Sequence, residues 1–149
     1  DTSSNIEQLK QDLLNKYHTK FPWTFFKFWE WIKSITKPNN NPCNALSKEL
    51  NLKLVGPFEY LNGDLSKLNN EQILIHYRYH FDLPEFQTII IDISSTDNTH
   101  YGYWRDDPNY NPVGIVQSDG TTEVVNTIKK CVTPIAANLF YFIHNKLKQ

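Results

Sequence analysis

Cysteine is scarce in this sequence: Cys43 and Cys131 are its only two, too few for a disulfide framework and without the C-x-x-C spacing of zinc or redox sites. That usage points to a reducing, intracellular compartment. A basic surplus is also missing, with 15 Lys and Arg against 16 Asp and Glu. A protein that binds by neutralising phosphates needs such a surplus or a dense basic stripe, so nucleic acid is disfavoured as a partner. No apolar run approaches the roughly 20 residues that cross a bilayer, and "DTSSNIEQLK" has neither the basic nor the apolar region of a leader. No membrane association is expected. The motifs G-x-S-x-G, G-x-x-x-x-G-K-[ST], H-E-x-x-H and G-x-G-x-x-G do not occur, which removes the usual signs of a nucleophile elbow, a phosphate-cradling loop and a zinc-protease helix. Neither a cofactor nor a metal is expected.

What the chain has in plenty is aromatic surface. "FPWTFFKFWEWI" sets seven rings between Phe21 and Trp31. Placed on a helix from about 22 to 36, Phe25, Phe28, Trp29, Ile32 and Ile35 share one face, and Phe26 and Trp31 widen the apolar arc to about 220° where a half-buried helix needs little more than 100°. The central stripe reads as core. Trp23 and Trp31 lie off it and are the candidates for exposure. Before this segment, Ser4 and Glu7 have the spacing of a capping box, with Ile6, Leu9, Leu13 and Tyr17 at helical intervals, which predicts a helix over about 4 to 17.

With 149 residues, 40% hydrophobic and 21% charged, the composition fits one globular domain. Asn41 and Pro42 suit the start of a short helix through "CNALSKEL". Strand signals then dominate. "ILIHYRYHF" alternates, placing His76, Arg78 and His80 on a polar side; "FQTIIIDI", "THYGYWRD" and "PVGIVQ" follow as further strands. "TTEVVNTIKKCV" fits strand or helix and is read as helix from about 122. A last helix is expected with Thr133 as cap, Pro134 in its first turn, and Ile135, Leu139, Phe142, Ile143 and Leu147 on one face. The fold class is α+β: N-terminal helices, a mainly antiparallel sheet of four or five strands, and a C-terminal helix.

No catalytic residues stand out. His76 and His80 are four apart, but on a strand that separation is about 13 Å, too far for one zinc ion. With Arg78 they form either a solvated face or an anion-binding one. An enzyme of dispersed residues would need a pocket that brings His76, Arg78 or His80 against Asp106 or Glu85. Cys43 lies near a helix N-terminus, which favours a thiolate, although a small buried residue is the plainer reading. "YGYWRDDPNYNP" mixes rings with charges at a strand end. Tyr103, Trp104, Arg105, Asp106 and Asp107, with Trp23 and Trp31, form the candidate interaction surface; the competing reading of the loop is a local Arg105 to aspartate salt bridge.

Several segments taken together resemble one family. "LKLVGPFEYLNG", "HYRYHFDLPEFQTIII" and "HYGYWRDDPNYNPVGI" follow the order and nearly the spacing of the N-terminal domain of the histone PARylation factor family, and "FPWTFFKFW" with "NPCNALSKELNL" resembles the region before them. The resemblance runs from about residue 5 to 145, a single domain over 1–149. It implies a non-catalytic accessory module of nuclear ADP-ribosylation and the DNA damage response, with a protein partner in chromatin or that machinery. In the family, a second domain completes the polymerase active site with an acidic residue. No residue here matches that acid or the polymerase-docking surface, so direct binding to a polymerase catalytic domain is not implied. A natural truncation and an excised domain both fit. The aromatic helix also resembles the opening helix of SUKH proteins, which implies an alternative: a stand-alone protein- or peptide-binding module.

Overall fold

The structure, a computed structural model, describes residues 2–79, 82–119 and 132–149. His80, Cys131 and the helix expected from about 122 lie outside the described residues. Helix α1 spans Thr2–Tyr17, beginning before the anticipated cap, so Ser4 lies within the helix. Its Leu13 and Tyr17 are buried, and Ile6 and Leu9 pack on the core.

Helix α2, Trp23–Ile35, starts directly after Pro22, whose fixed φ suits a helix entrance. Phe25, Phe26, Phe28, Trp29 and Ile32 are buried. Ile35, expected on the same face, is exposed in the last turn. The rings converge on one partner: Phe58 stacks on Phe25 at 4.4 Å and meets Phe28 and Trp29 at 5.8 and 5.7 Å. The crowded stretch is the wall of a core.

Asn41 caps as expected, accepting the Cys43 N–H at 2.9 Å, but the segment divides into a 3-10 turn, Pro42–Asn44, and a short α3, Ser47–Leu50. After strand β1, Leu52–Leu54, the chain turns at Gly56, whose φ of +61° favours glycine and where a Cβ would come within a tight 3.1 Å of the Thr88 carbonyl. Helix α4, Pro57–Leu61, carries Phe58 inward, and Glu59 accepts the Gly56 N–H at 2.9 Å.

The alternation in "ILIHYRYHF" does not make a strand. Asn69 accepts the Gln72 N–H at 2.8 Å while the Gln72 side chain accepts the Asn69 N–H at 2.9 Å, and this reciprocal cap starts helix α5, Asn70–Ile75. Tyr77 then takes a left-handed φ of 58°. Strands β2 (Phe86–Asp92), β3 (His100–Trp104), β4 (Gly114–Ser118) and β5 (Val132–Ala136) follow, and among the described residues the sheet is an antiparallel meander in the order β1-β2-β3-β4-β5.

Thr133 and Pro134, expected to open the last helix, instead belong to β5, opposite Gln117 and Val116. Pro134 sits in the last strand of the described sheet beside a register shift at Ile115/Val116, a place where a missing N–H is tolerated. Helix α6 begins later, at Leu139–Leu147, with Asn138 accepting the Tyr141 N–H. Ile135 therefore lies on the strand, and Leu147 is exposed; Leu139, Phe142 and Ile143 are buried.

Strand alternation sorts the two faces of the sheet. Tyr101 and Tyr103 face the helices, with Tyr101 4.7 Å from Phe142 and Tyr103 6.3 Å from Phe25. On the other face lies His100, fully buried, whose Nε2 is 2.7 Å from Asp82 Oδ1 and whose Nδ1 is 2.6 Å from the Asn98 carbonyl. Tyr79 stacks on that imidazole at 4.1 Å, so the segment after α5 is pinned across the sheet.

Candidate functional site

That pinned segment closes one side of a cavity of about 400 Å³. The end of α1 supplies Tyr17, the α1–α2 connection Thr19, the segment after α5 His76, Tyr77 and Arg78, the approach to β2 Glu85, and β2 itself Thr88. Arg105 and Asp106, just past β3, complete it. Residues far apart in the chain meet here because the meander brings the start of β2 beside the end of β3, Phe86 opposite Trp104.

Arg105 is the organising residue, only 5% exposed. It donates from its two terminal nitrogens to Gln87 Oε1 at 2.7 Å and to the Lys20 carbonyl at 2.6 Å, and its guanidinium lies 5.1 Å from the centre of the Phe21 ring and 5.5 Å from that of Tyr103. Burial works against the charge and lowers its pKa to about 10, which leaves it protonated at neutral pH. No aspartate salt bridge to Arg105 forms among the described residues. Asp106 instead accepts from the Trp104 indole at 2.9 Å, and Asp107 accepts the Asn109 N–H at 2.8 Å, closing the turn beyond Pro108. The local charges that look like a pair in the sequence have separate partners.

Arg78 donates to the Leu83 and Phe86 carbonyls at 2.9 and 3.2 Å. His76 places Nε2 3.2 Å from Glu59 Oε1. Burial, the Glu59 charge and the neighbouring Tyr60 all push the Tyr17 phenol well above its usual range, so it stays protonated and available as a donor. Four buried polar atoms on residues of this cavity have no hydrogen-bond partner among the described residues: the hydroxyls of Tyr17, Thr19 and Thr88, and Arg105 Nε.

The residues singled out in the sequence divide among several places. Trp23 is 65% exposed and Trp31 36%, Trp31 packing beside Phe28 and Phe140 at 5.6 and 6.4 Å. Tyr103 is buried under α2 and offers no surface, a correction that follows from the strand alternation aiming it at Phe25. Trp104 points the other way, onto a shallow apolar groove of about 310 Å³ with Leu83, Val113 and Pro134. Arg105 and Asp106 line the cavity, and Asp107 stands outside it. Cys43 is fully buried, and burial pushes its thiol up to about 12, against the thiolate its position suggested.

His76, Arg78, Glu85 and Asp106 do share one cavity, the juxtaposition that dispersed catalysis requires. His76 faces the Glu59 carboxylate, Arg78 is spent on backbone carbonyls and Asp106 on the Trp104 indole. Tyr17, Thr19, Thr88 and Gln87 have no signal in the sequence, since they read as a helix end, a connection and strand residues. Arg105 is visible there, but as a surface charge.

Fold and cavity together define a small α+β fold with a pocket of mixed polar and apolar lining at one end of its sheet. The family model for histone PARylation factor 1 matches residues 8–149, and the chain belongs to the histone PARylation factor family. It is 33% identical to histone PARylation factor 1 of Mus musculus over the whole chain and 42% of that protein, and 34% identical to that of Danio rerio over 80% of the chain and 34% of that protein. A putative histone PARylation factor 1-like protein of Homo sapiens is 30% identical, again over the whole chain and 42% of its own length. The chain thus spans about two fifths or less of the curated relatives it matches.

Proposed function

We propose that this chain is a non-catalytic accessory module of ADP-ribosylation that works through a protein partner in the nuclear response to DNA damage. The family match over residues 8–149 carries the reading. Two features of the cavity support it: the arginines are fixed to neutral acceptors, and the polar atoms left over are donors suited to recognition. In this reading the domain does not itself complete a polymerase active site.

Purified chain added to an activated poly(ADP-ribose) polymerase and histone, as the sole accessory factor, is expected to leave serine unmodified; serine-linked product overturns the non-catalytic part. Proximity labelling in DNA-damaged cells is expected to enrich ADP-ribosylation enzymes or their acceptors over an unrelated control domain. Equal labelling overturns the accessory part.

The exposure of Trp23 favours a second reading, a protein- or peptide-binding surface on α2. Acrylamide quenching should fall when Trp23 is replaced by Phe. An unchanged quenching curve removes that reading's support.

A further inference from the structure

We propose that the cavity floored by Arg105 is a binding site for the oxyanion group of a small ligand, a phosphoryl or a carboxylate, gripped by Arg105 and Arg78 with the hydroxyls of Tyr17, Thr19 and Thr88. The inference goes beyond the accessory role and stands on the cavity alone. Both guanidiniums spend their bonds on neutral oxygens, those of Gln87, Lys20, Leu83 and Phe86, and neither forms an ion pair among the described residues. Their positive charges are held in place without being neutralised. Arg78 is exposed at the rim, whereas Arg105 is a buried cation, which gains most from an anion that accepts hydrogen bonds as well as charge.

The unpartnered atoms make the second argument. A buried polar group without a partner carries a desolvation penalty, and such groups are few in native proteins. Among the described residues five side-chain atoms of this kind occur, on Tyr17, Thr19, Thr88, Tyr103 and Arg105, and four of them belong to residues around this one cavity. All four are shut off from solvent in this fold, so a ligand reaches them only as a side chain turns toward the cavity or through a bridging water. Three hydroxyls and a guanidinium N–H form a donor set for an oxyanion.

Charge and size narrow the ligand. Glu85 and Asp106 are exposed on the wall, with Asp106 tied to the Trp104 indole, and Glu59 behind His76 is occupied by the Gly56 N–H. These carboxylates oppose a ligand with charge spread along its length and favour one compact anionic head at the Arg105 end. About 400 Å³ exceeds what a bare oxyanion fills, leaving the apolar side of Pro57, Leu74 and Tyr77 for an uncharged body. Tyr77 lines that side in a left-handed conformation, a strain of the sort that collects at binding sites.

The test is titration of the full chain with inorganic phosphate and, separately, with acetate, at constant ionic strength, following the Arg105 Nε–H resonance by NMR. A saturable shift with either anion is expected, and the stronger of the two identifies the head group. Tyr17→Phe and Thr88→Val remove only hydroxyls that have no partner and should fold normally; each is expected to weaken binding roughly tenfold, the scale of one hydrogen bond to a charged group. Arg105→Gln, where it folds, should abolish binding. No saturable shift with either anion, or affinity unchanged in both hydroxyl variants, overturns the proposal.

Discussion

Trp29 and Trp23 stand six residues apart on α2 and have opposite fates. Trp29 is 3% exposed with its indole against Phe58, whereas Trp23 projects from the first turn. Trp29→Ala removes a large buried ring from a close-packed site and is expected to cost about 3 to 5 kcal/mol in urea unfolding; a loss below about 1 kcal/mol would mark the ring as peripheral. Trp23→Ala should stay within about 0.5 kcal/mol of the parent. Cys43 makes a second residue-scale prediction. Its folded-state pKa of about 12 exceeds the ordinary 9.0, because burial disfavours the thiolate. The unfolded chain therefore loses this proton first as pH rises, so the contribution is complete below about pH 9 and is lost between there and pH 12. In a Cys131→Ser background the urea midpoint should fall across that window, and alkylation of Cys43 near pH 9 should proceed no faster than unfolding. Rapid alkylation of the native protein contradicts the burial.

Elements show where the sequence was legible and where it was not. Strands β2, β3 and β4 are plain in it because their β-branched and aromatic runs are bounded by turn residues, and helix α2 is plain because Phe25, Phe28, Trp29 and Ile32 recur at helical spacing, with Trp23 and Trp31 off that stripe and exposed. Alternation misleads at Ile73 to Tyr79, where a local cap between Asn69 and Gln72 outweighs a period-two pattern and only Ile73 is buried in α5. Thr133 and Pro134 carry a helix-start signature, yet pairing with β4 recruits them to the sheet and Asn138 caps instead. In both places tertiary context decides between two local codes. The β2–β3 pair supplies a prediction at this scale. At Gly102 a Cβ would overlap the Gln87 carbonyl and lie 2.9 Å from Phe86 Cζ. Gly102→Ala must therefore part the two strands that frame the cavity, and a loss of about 3 kcal/mol or more is expected. A crystal structure or exchange data showing the added methyl group accommodated with β2–β3 pairing intact would contradict it.

Across the whole molecule one hydrophobic cluster runs from Leu13 on α1 through Phe25 to Ile32 on α2, across Ile89, Tyr101 and Ile115 of the sheet, to Phe142 and Ile143 on α6. The cavity depends on that continuity, because its floor residue is anchored at both ends of the fold: Arg105 leaves the sheet and holds the Lys20 carbonyl between the first two helices. This is why the site was the least legible feature. Its donors come from a helix end, a connection, a strand and a strand end, and only the assembled core sets them side by side. Secondary structure and the environment of Trp29 should accordingly be lost together, since neither the helices nor the sheet has an apolar face covered by its own residues alone. Far-ultraviolet circular dichroism and tryptophan fluorescence are expected to give coincident urea transitions. Saturating oxyanion, binding only where Arg105 spans sheet and helices, should move both midpoints upward by the same amount. A ligand that shifted the fluorescence transition while leaving the dichroism behind would mean that helices and sheet unfold separately, and that the cavity is a seam between two units rather than a pocket in one.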